Sequence, residues 1–354
     1  MKNIIIGLMS GTSLDGLDIV ACTFTKNNSK ISFNILEAET FEYNQNWIER
    51  LKNAPLLPAY DFMKLHSEYG LLLGNLSNQF LEKHSFKHSD IDFIASHGHT
   101  IFHKPNEGIT TQIGDGTKIH AKTNIRVIYD FRQLDVALGG QGAPLVPIGD
   151  EALFSEYKFC LNLGGFANVS YNSENQRIAF DIVPVNFVLN YLANRLNLTH
   201  DPNGLNASKG KVNLQLLEKL NNLSYYTQPI PKSLGREWVE TNILPFLSNN
   251  KLSVCNLLRT FVEHICIQIS GVIKSVSHGE ILITGGGAYN TFLINRLQEL
   301  TEHKIIIPND NIVNFKEALI FALLGWLKIN NIANVLSSYT GACRNSISGI
   351  IING

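Results

Sequence analysis

The sequence predicts an α/β protein of two lobes, each a mixed sheet with helices, arising from a duplicated unit. Three observations carry this expectation. Both halves of the chain open with an apolar run, a glycine turn and a second apolar run, at residues 3–24 and 158–171. Segments of helical periodicity follow the strands in each half. A third glycine turn, Gly285-Gly-Gly287, ends a β-branched run and opens a helical pattern. One order of elements met twice in a chain signals duplication, and 354 residues are enough for two domains.

In chain order, residues 3–8 and 17–24 read as strands around a polar turn, and residues 31–39 as a third strand. Residues 60–84 place Phe62, Leu65, Tyr69, Leu72, Leu73, Leu76 and Phe80 on one helical face. A buried strand at 91–96 leads into His97-Gly-His-Thr100, and polar turns follow at 113–116 and 138–144. The second half repeats the order. Strands at 158–163 and 166–171 flank Gly164-Gly165, a third strand ends at Asp181, and an amphipathic helix spans 253–276. The strand 280–284 then meets the third glycine turn and a helix over 288–300. The expected lobes are 1–135, which residues 335–354 can join, and 136–334. In folds of this class ligands sit at the strand ends, where glycine turns converge.

The totals narrow the function. Hydrophobic residues make up 44% and charged residues 17%, with a net charge of −1, so no basic footprint for nucleic acid and no polybasic membrane anchor is present. The longest apolar run, 318–327, has ten residues, far short of the ~20 a membrane span needs. Residues 4–9 are too short for a signal-peptide core and run straight into the first turn. Five scattered cysteines without a CxxC pair fit free thiols in a reducing cytoplasm.

The first turn, Met9-Ser-Gly-Thr-Ser-Leu-Asp-Gly-Leu-Asp18, is the most chemically loaded stretch. Glycine lets backbone N–H groups approach phosphate oxygens, hydroxyls add donors, and carboxylates can hold hydrated Mg²⁺. An ordinary glycine-rich turn is the competing reading. The phosphate reading draws on Gly11, Thr12, Ser13, Leu14, Asp15, Gly16, Leu17 and Asp18, with Asp15 and Asp18 as candidates to hold a metal through water; Asp18 has the weaker claim, since strand alternation also places it on a solvated face. The second turn offers Asn162, Gly164 and Gly165, and the third Gly285, Gly286 and Gly287. None matches a Walker A or dinucleotide-fold spacing. His97, His99 and His103 invite a zinc reading, but Gly98 breaks the strand and no cysteine or carboxylate follows at ligand spacing.

Three glycine turns in two similar halves resemble the nucleotide cleft of the actin-like ATPase superfamily, with its ribonuclease H-like fold. More specifically, the chain resembles the anhydro-N-acetylmuramic acid kinases along nearly its whole length. The stretches that carry this are MSGTSLDGLD (9–18), SHGHT (96–100), IGD (113–115), DFR (130–132), DVALGGQGAPLVP (135–147), NLGGFANVS (162–170), Ser233-Leu-Gly-Arg-Glu237, TGGGAYN (284–290), Lys316-Glu-Ala318 and Tyr339-Thr-Gly-Ala342. The resemblance implies an ATP- and Mg²⁺-dependent kinase that turns 1,6-anhydro-N-acetylmuramic acid and water into N-acetylmuramic acid 6-phosphate during cell-wall recycling. It also implies an anhydro amino sugar as partner, and by analogy a homodimer.

The resemblance assigns the general base to Asp181, within Asp181-Ile-Val-Pro-Val-Asn186 where the family has Asp-Thr-Gly-Pro-Gly-Asn. From the residues alone, Asp181 can equally cap a helix starting near Pro184. Sugar contacts fall to His97, Thr100, Arg132, Asp135, Gln141 and Asn186. Arg132 can instead pair with Asp130 or Asp135, and Glu317 reads equally as a first-turn helix charge or a site residue. Ile182, Val183 and Val185 depart from the family pattern, which keeps two alternatives in view: a kinase for another anhydro or amino sugar, and a nucleotide- and sugar-binding sensor with weak turnover.

Overall fold

The computed structural model describes residues 4–11, 13–28, 30–173, 176–230, 232–248, 250–274 and 278–353. It divides into unit 1, Met1–Leu153 with Phe315–Gly354, and unit 2, Phe154–Asn314. Residues 136–153 and 315–334, expected in the C-terminal lobe, therefore belong to unit 1. The reason is burial. The helix Val146–Leu153 packs against the first sheet, and the apolar stretch of the helix Asp310–Ile329 lies across it.

Unit 1 holds β1 (Ile4–Ser10), β2 (Gly16–Asn27), β3 (Lys30–Glu42), β4 (Ile91–Lys104), β5 (Ile109–Ile113), β6 (Val127–Tyr129) and, from the C-terminus, β12 (Ile350–Ile352). The order is β3-β2-β1-β4-β6-β12, with β5 folded back on β4. β1–β2 and β2–β3 are antiparallel, whereas β1–β4 and β4–β6 are parallel. Unit 2 holds β7 (Phe159–Leu163), β8 (Phe166–Ser173), β9 (Gln176–Pro184), β10 (Glu280–Thr284) and β11 (Lys304–Ile306). Its order is β9-β8-β7-β10-β11, again with two antiparallel and two parallel pairings. Leaving aside β5 and the antiparallel β12 at the edge of unit 1, β3-β2-β1-β4-β6 and β9-β8-β7-β10-β11 match in order and direction. The expected duplication is present.

The helices follow their sequence signals closely. The periodic face of residues 60–84 forms the helix Ala59–Lys83, which buries Leu65, Tyr69, Leu73 and Phe80. In unit 2 the helix Val254–Ile273 is capped by Ser253, whose Oγ accepts from the Asn256 N–H at 3.3 Å. The glycine turn after β10 differs from expectation. A single 3₁₀ turn, Gly286–Tyr289, intervenes, and the helix Thr291–Glu299 starts only after Asn290, whose side chain caps it.

The apolar run at 318–327 explains itself in this packing. It is buried around nearly its whole circumference, Ala318 to Leu324 being at most 1% exposed. Among the described residues no helix is long and apolar enough to cross a membrane. Its approach to β1 is set by Gly7, where an added Cβ would stand 2.1 Å from the Ala318 carbonyl oxygen. A backbone atom cannot swing aside, so any side chain there separates sheet from helix. Gly7→Ala is expected to lower stability by about 1–3 kcal/mol, read as a lower urea midpoint; an unchanged midpoint would contradict this packing account.

Candidate active site

The first turn joins β1 and β2, which pair from Ile5↔Cys22 to Met9↔Asp18. Thr12 lies outside the described residues. Gly11 accepts the Leu14 N–H at 3.4 Å, and Leu14 takes a positive φ of 61°. Ser13 Oγ donates to Asp15 Oδ1 at 2.6 Å. Gly16 and Leu17 already belong to the β2–β3 ladder, and Leu17 is buried in the core.

Asp18 is half-buried, and Thr40 Oγ1 donates to its Oδ1 at 2.6 Å. Its carboxyl is pushed up to about 6, chiefly by burial, against the Thr40 hydrogen bond and with help from the charges of Asp15 and Glu317. Glu317, for which the sequence left two readings open, is itself raised by burial, against the opposing charges of Lys316 and Arg132. Its neighbour Lys316 is buried in an ion pair with Asp150 at 3.1 Å. Asp18 thus feels the charges of both Asp15 and Glu317, although no group of three acidic, histidine or cysteine residues stands at metal-binding distance among the described residues.

The histidines of β4 are hydrogen-bonded into the fold. His99 Nδ1 lies 2.9 Å from Ser10 Oγ, which accepts from the Tyr43 hydroxyl at 2.8 Å; that hydroxyl is 2.6 Å from the Tyr69 hydroxyl. Burial lowers His99 to about 4, and burial with the nearby Arg132 charge holds His97 well below the usual range, so both are neutral at pH 7. His103 Nδ1 pairs with Thr110 Oγ1 at 3.1 Å. Arg132 pairs with neither Asp130 nor Asp135. Its Nε donates to His97 Nε2 at 3.1 Å and its Nη1 to the Gly142 carbonyl at 2.6 Å. Burial lowers its guanidinium to about 10, still charged at pH 7.

Asp135 departs from its expected role. It is 0% exposed, and its two oxygens accept from the Gly142 N–H and the Thr340 hydroxyl, each at 2.7 Å. It ties the 138–144 loop to the C-terminal segment and has no surface left for a sugar. Gln141 is exposed, and its N–H donates to the Thr340 carbonyl at 2.7 Å. Thr100 is half-buried and accepts from Gln112 Nε2 at 3.3 Å.

In unit 2 the second and third turns pack on one another. A Cβ on Gly285 (φ 82°) would stand 2.7 Å from Asn162 Oδ1 and 2.9 Å from the Leu163 carbonyl, and one on Gly287 would meet Leu163 Cβ at 2.7 Å. Gly286 has more room, with Asn186 Nδ2 at 3.8 Å. The Gly164 and Gly165 carbonyls accept from Asn186, Val185 and Phe187 at 2.8–3.2 Å, which fixes the start of the helix Asn186–Asn194. Asn186 Nδ2 donates to the Leu163 carbonyl at 3.1 Å. Beside these turns opens a cavity of about 590 Å³, lined by Asn186, Asn190, Asp201, Asn203, Gly286 and Tyr289 among others. Asn186 therefore sits with the glycine turns of unit 2.

Asp181 stands near the end of β9 and caps no helix: the helix that follows begins at Asn186 behind Val185. Its Oδ2 accepts the Leu234 N–H at 2.9 Å, its own N–H donates to the Lys232 carbonyl at 3.1 Å, and the Tyr225 hydroxyl donates to its carbonyl at 2.6 Å. Burial pushes the carboxyl up to about 6, against the Leu234 hydrogen bond. The divergent neighbours Ile182, Val183 and Val185 are 2%, 0% and 0% exposed and sit in the unit 2 core.

Two sheets of like strand order, each with a glycine turn between its first two strands, define an α/β protein of the actin-like, ribonuclease H-like class. A family model, anhydro-N-acetylmuramic acid kinase, matches residues 3–354. An anhydro-N-acetylmuramic acid kinase of Shewanella sediminis is 34% identical over 98% of both chains. That of Haemophilus influenzae is 34% identical over 95% of this chain and 94% of its own. Among solved structures, component A of the Acidaminococcus fermentans (R)-2-hydroxyglutaryl-CoA dehydratase aligns at 13% identity with a TM-score of 0.43, over 91% of this chain and 96% of that one. The chain belongs to the anhydro-N-acetylmuramic acid kinase family. Membership makes it a kinase, a phosphotransferase, and implies the use of ATP.

The buried Asp18 carboxyl gives a test of this geometry. A carboxyl whose pKa rises on folding, here from 3.8 to about 6, costs stability in full above its folded pKa, and the cost is lost as pH falls from the folded value to the unfolded one. Asp18→Asn is expected to stabilise the protein by about 1–3 kcal/mol at pH 8, with the gain vanishing below about pH 3.5. Urea unfolding at both pH values checks it; a variant less stable at pH 8 would contradict the burial account.

Proposed function

We propose that this chain phosphorylates 1,6-anhydro-N-acetylmuramic acid with ATP and water, giving N-acetylmuramic acid 6-phosphate, in the cytoplasm during cell-wall recycling. Asp181 is the general base. The observation that carries the reading is its setting: a half-buried carboxylate at a strand end, bound by one backbone N–H and raised to about 6. Such a group is ionised at pH 7 yet basic enough to take a proton in the transition state.

The substrate's 6-oxygen belongs to an internal acetal and carries no proton, so a base has nothing to remove there. Asp181 takes a proton from water, and the water oxygen bonds to the anomeric carbon. The bond from that carbon to the 6-oxygen breaks, and the 6-oxygen takes the γ-phosphoryl group as ADP leaves. The proton rests on Asp181 until product release. One carboxylate suffices.

The resemblance assigns phosphate contacts to Gly11, Thr12, Ser13 and Leu14, and sugar contacts to His97, Thr100, Arg132 and Gln141. Unit 2 offers Asn162, Gly164, Gly165 and Gly285–Gly287 to the nucleotide, with the 590 Å³ cavity sized for a nucleoside. Mg²⁺ fits the oxygen donors of Asp15 and Asp18, where mutual repulsion favours a cation, and would be held there through water. When bound, it offsets charge on the β- and γ-phosphates. The alternative substrates and the sensor reading drew on Ile182, Val183 and Val185; their burial in the core instead supports a repacked segment that keeps Asp181.

Asp181→Asn is expected to lower kcat for the anhydro sugar by about 10²–10⁴-fold while ATP binding, read by calorimetry, persists. Near-normal turnover by this variant would overturn the reading.

A further inference from the structure

Asp181 lies on β9, the edge strand of the unit 2 sheet, where one side of the backbone has no strand partner among the described residues. An edge carbonyl or N–H left alone is open to water, and a side chain beside it is free to turn. Here all three polar parts of the residue are held by one short segment. Its N–H goes to the Lys232 carbonyl, its carbonyl takes the Tyr225 hydroxyl, and its carboxylate takes the Leu234 N–H.

The segment is closed on itself by one side chain. Lys232 Nζ donates to the Tyr225 carbonyl at 2.9 Å and the Tyr226 carbonyl at 3.3 Å, and stands 4.6 Å over the Tyr225 ring. The start of the segment is anchored in turn. The Tyr226 hydroxyl is 2.8 Å from His264 Nε2, and His264 Nδ1 is 2.6 Å from Asn221 Oδ1. Both tyrosine rings also pack against Trp238.

We propose that residues 225–230 and 232–234 form a positioning clamp for the general base, and that Lys232 is the residue that keeps it shut. The proposal rests on Asp181 as the base. Lys232 touches no reacting atom. It fixes the loop that carries the Leu234 N–H, and that N–H favours the ionised carboxylate. With the ammonium gone, the two ends of the segment separate and the donor leaves the carboxylate. Asp181 then holds its proton to higher pH and aims less well.

Other titratable groups around β9 are already engaged. On the helix Val254–Ile273, which packs on β9, His264 is bonded to Tyr226 and Asn221 and is held neutral by burial. Glu263 of that helix is paired with Arg259 and Arg296. Arg236 stands over the Phe187 ring and bonds to Glu240. Tyr225 and Lys232 are the groups of the clamp itself.

The test is the pH profile of kcat/KM for the anhydro sugar, measured on the full chain with saturating ATP. Lys232→Met is expected to move the acid-side midpoint up by about one pH unit, so that activity falls about tenfold at low pH and returns as pH rises. Lys232→Arg, which keeps the cation, is expected to bring the midpoint back. Tyr225→Phe removes only the hydroxyl and should move the midpoint in the same direction; it carries the test if Lys232→Met does not fold. An unmoved midpoint in these variants, or a loss that is equal at every pH and not restored by Arg, overturns the clamp. Turnover retained by Asp181→Asn would instead remove the base reading beneath it.

Discussion

Unit 2 depends on a contact that only bare backbone can make. The end of β7 and the turn after β10 meet where Gly285 and Gly287 lie against Asn162 and Leu163, at distances no Cβ tolerates. Around that contact the rest of the unit's polar apparatus is arranged. Asn186 reaches the Leu163 carbonyl, the carbonyls of Gly164 and Gly165 receive the first N–H groups of the following helix, and Gly286 faces the cavity beside them. The parallel β7–β10 pairing sets the two turns side by side, and glycine lets them close. The dry core beneath, with Ile182, Val183 and Val185 within it, holds the arrangement rigid.

The same economy of means divides scaffold from chemistry in unit 1. Asp135, fully buried and bonded twice, keeps a loop in place. Arg132 is spent on His97 and the Gly142 carbonyl but keeps its charge near Glu317. Asp18 remains poorly solvated and close to like charge, an arrangement that costs stability in the protein alone and suits a cationic or proton-bearing ligand. If Asp18 holds the metal as proposed, stability and function pull apart at this residue.

Much of this was legible in the chain. Local pattern sufficed for the strand–turn–strand openings of both halves, for the helix at 59–83 and for the amphipathic helix that begins after Ser253, because each depends on neighbours in sequence. The resemblance assigned Asp181 although three of the residues beside it diverge, and that divergence is confined to side chains buried in the core. What escaped is long-range. The helix Asp310–Ile329 joins unit 1 through a contact at Gly7, some three hundred positions away, so the lobe boundaries shifted. Glu317 gained weight only when Asp18 and Arg132 were placed beside it. The resemblance gave Asp135 as a sugar contact, and its burial against the Gly142 N–H and the Thr340 hydroxyl is not readable from local pattern. The grip of residues 225–230 and 232–234 on Asp181 spans about fifty residues and is made mostly by backbone, which leaves almost no trace in residue identity.

The core of the account is that a single aspartate activates water at the anomeric carbon while the 6-oxygen leaves toward phosphate. Mass spectrometry of the sugar phosphate formed in heavy-oxygen water tests this most directly. One heavy oxygen on the anomeric carbon at the moment of formation, with none between carbon 6 and phosphorus, is the expected result. A product that keeps its anhydro ring, or a label found only in inorganic phosphate, would contradict it.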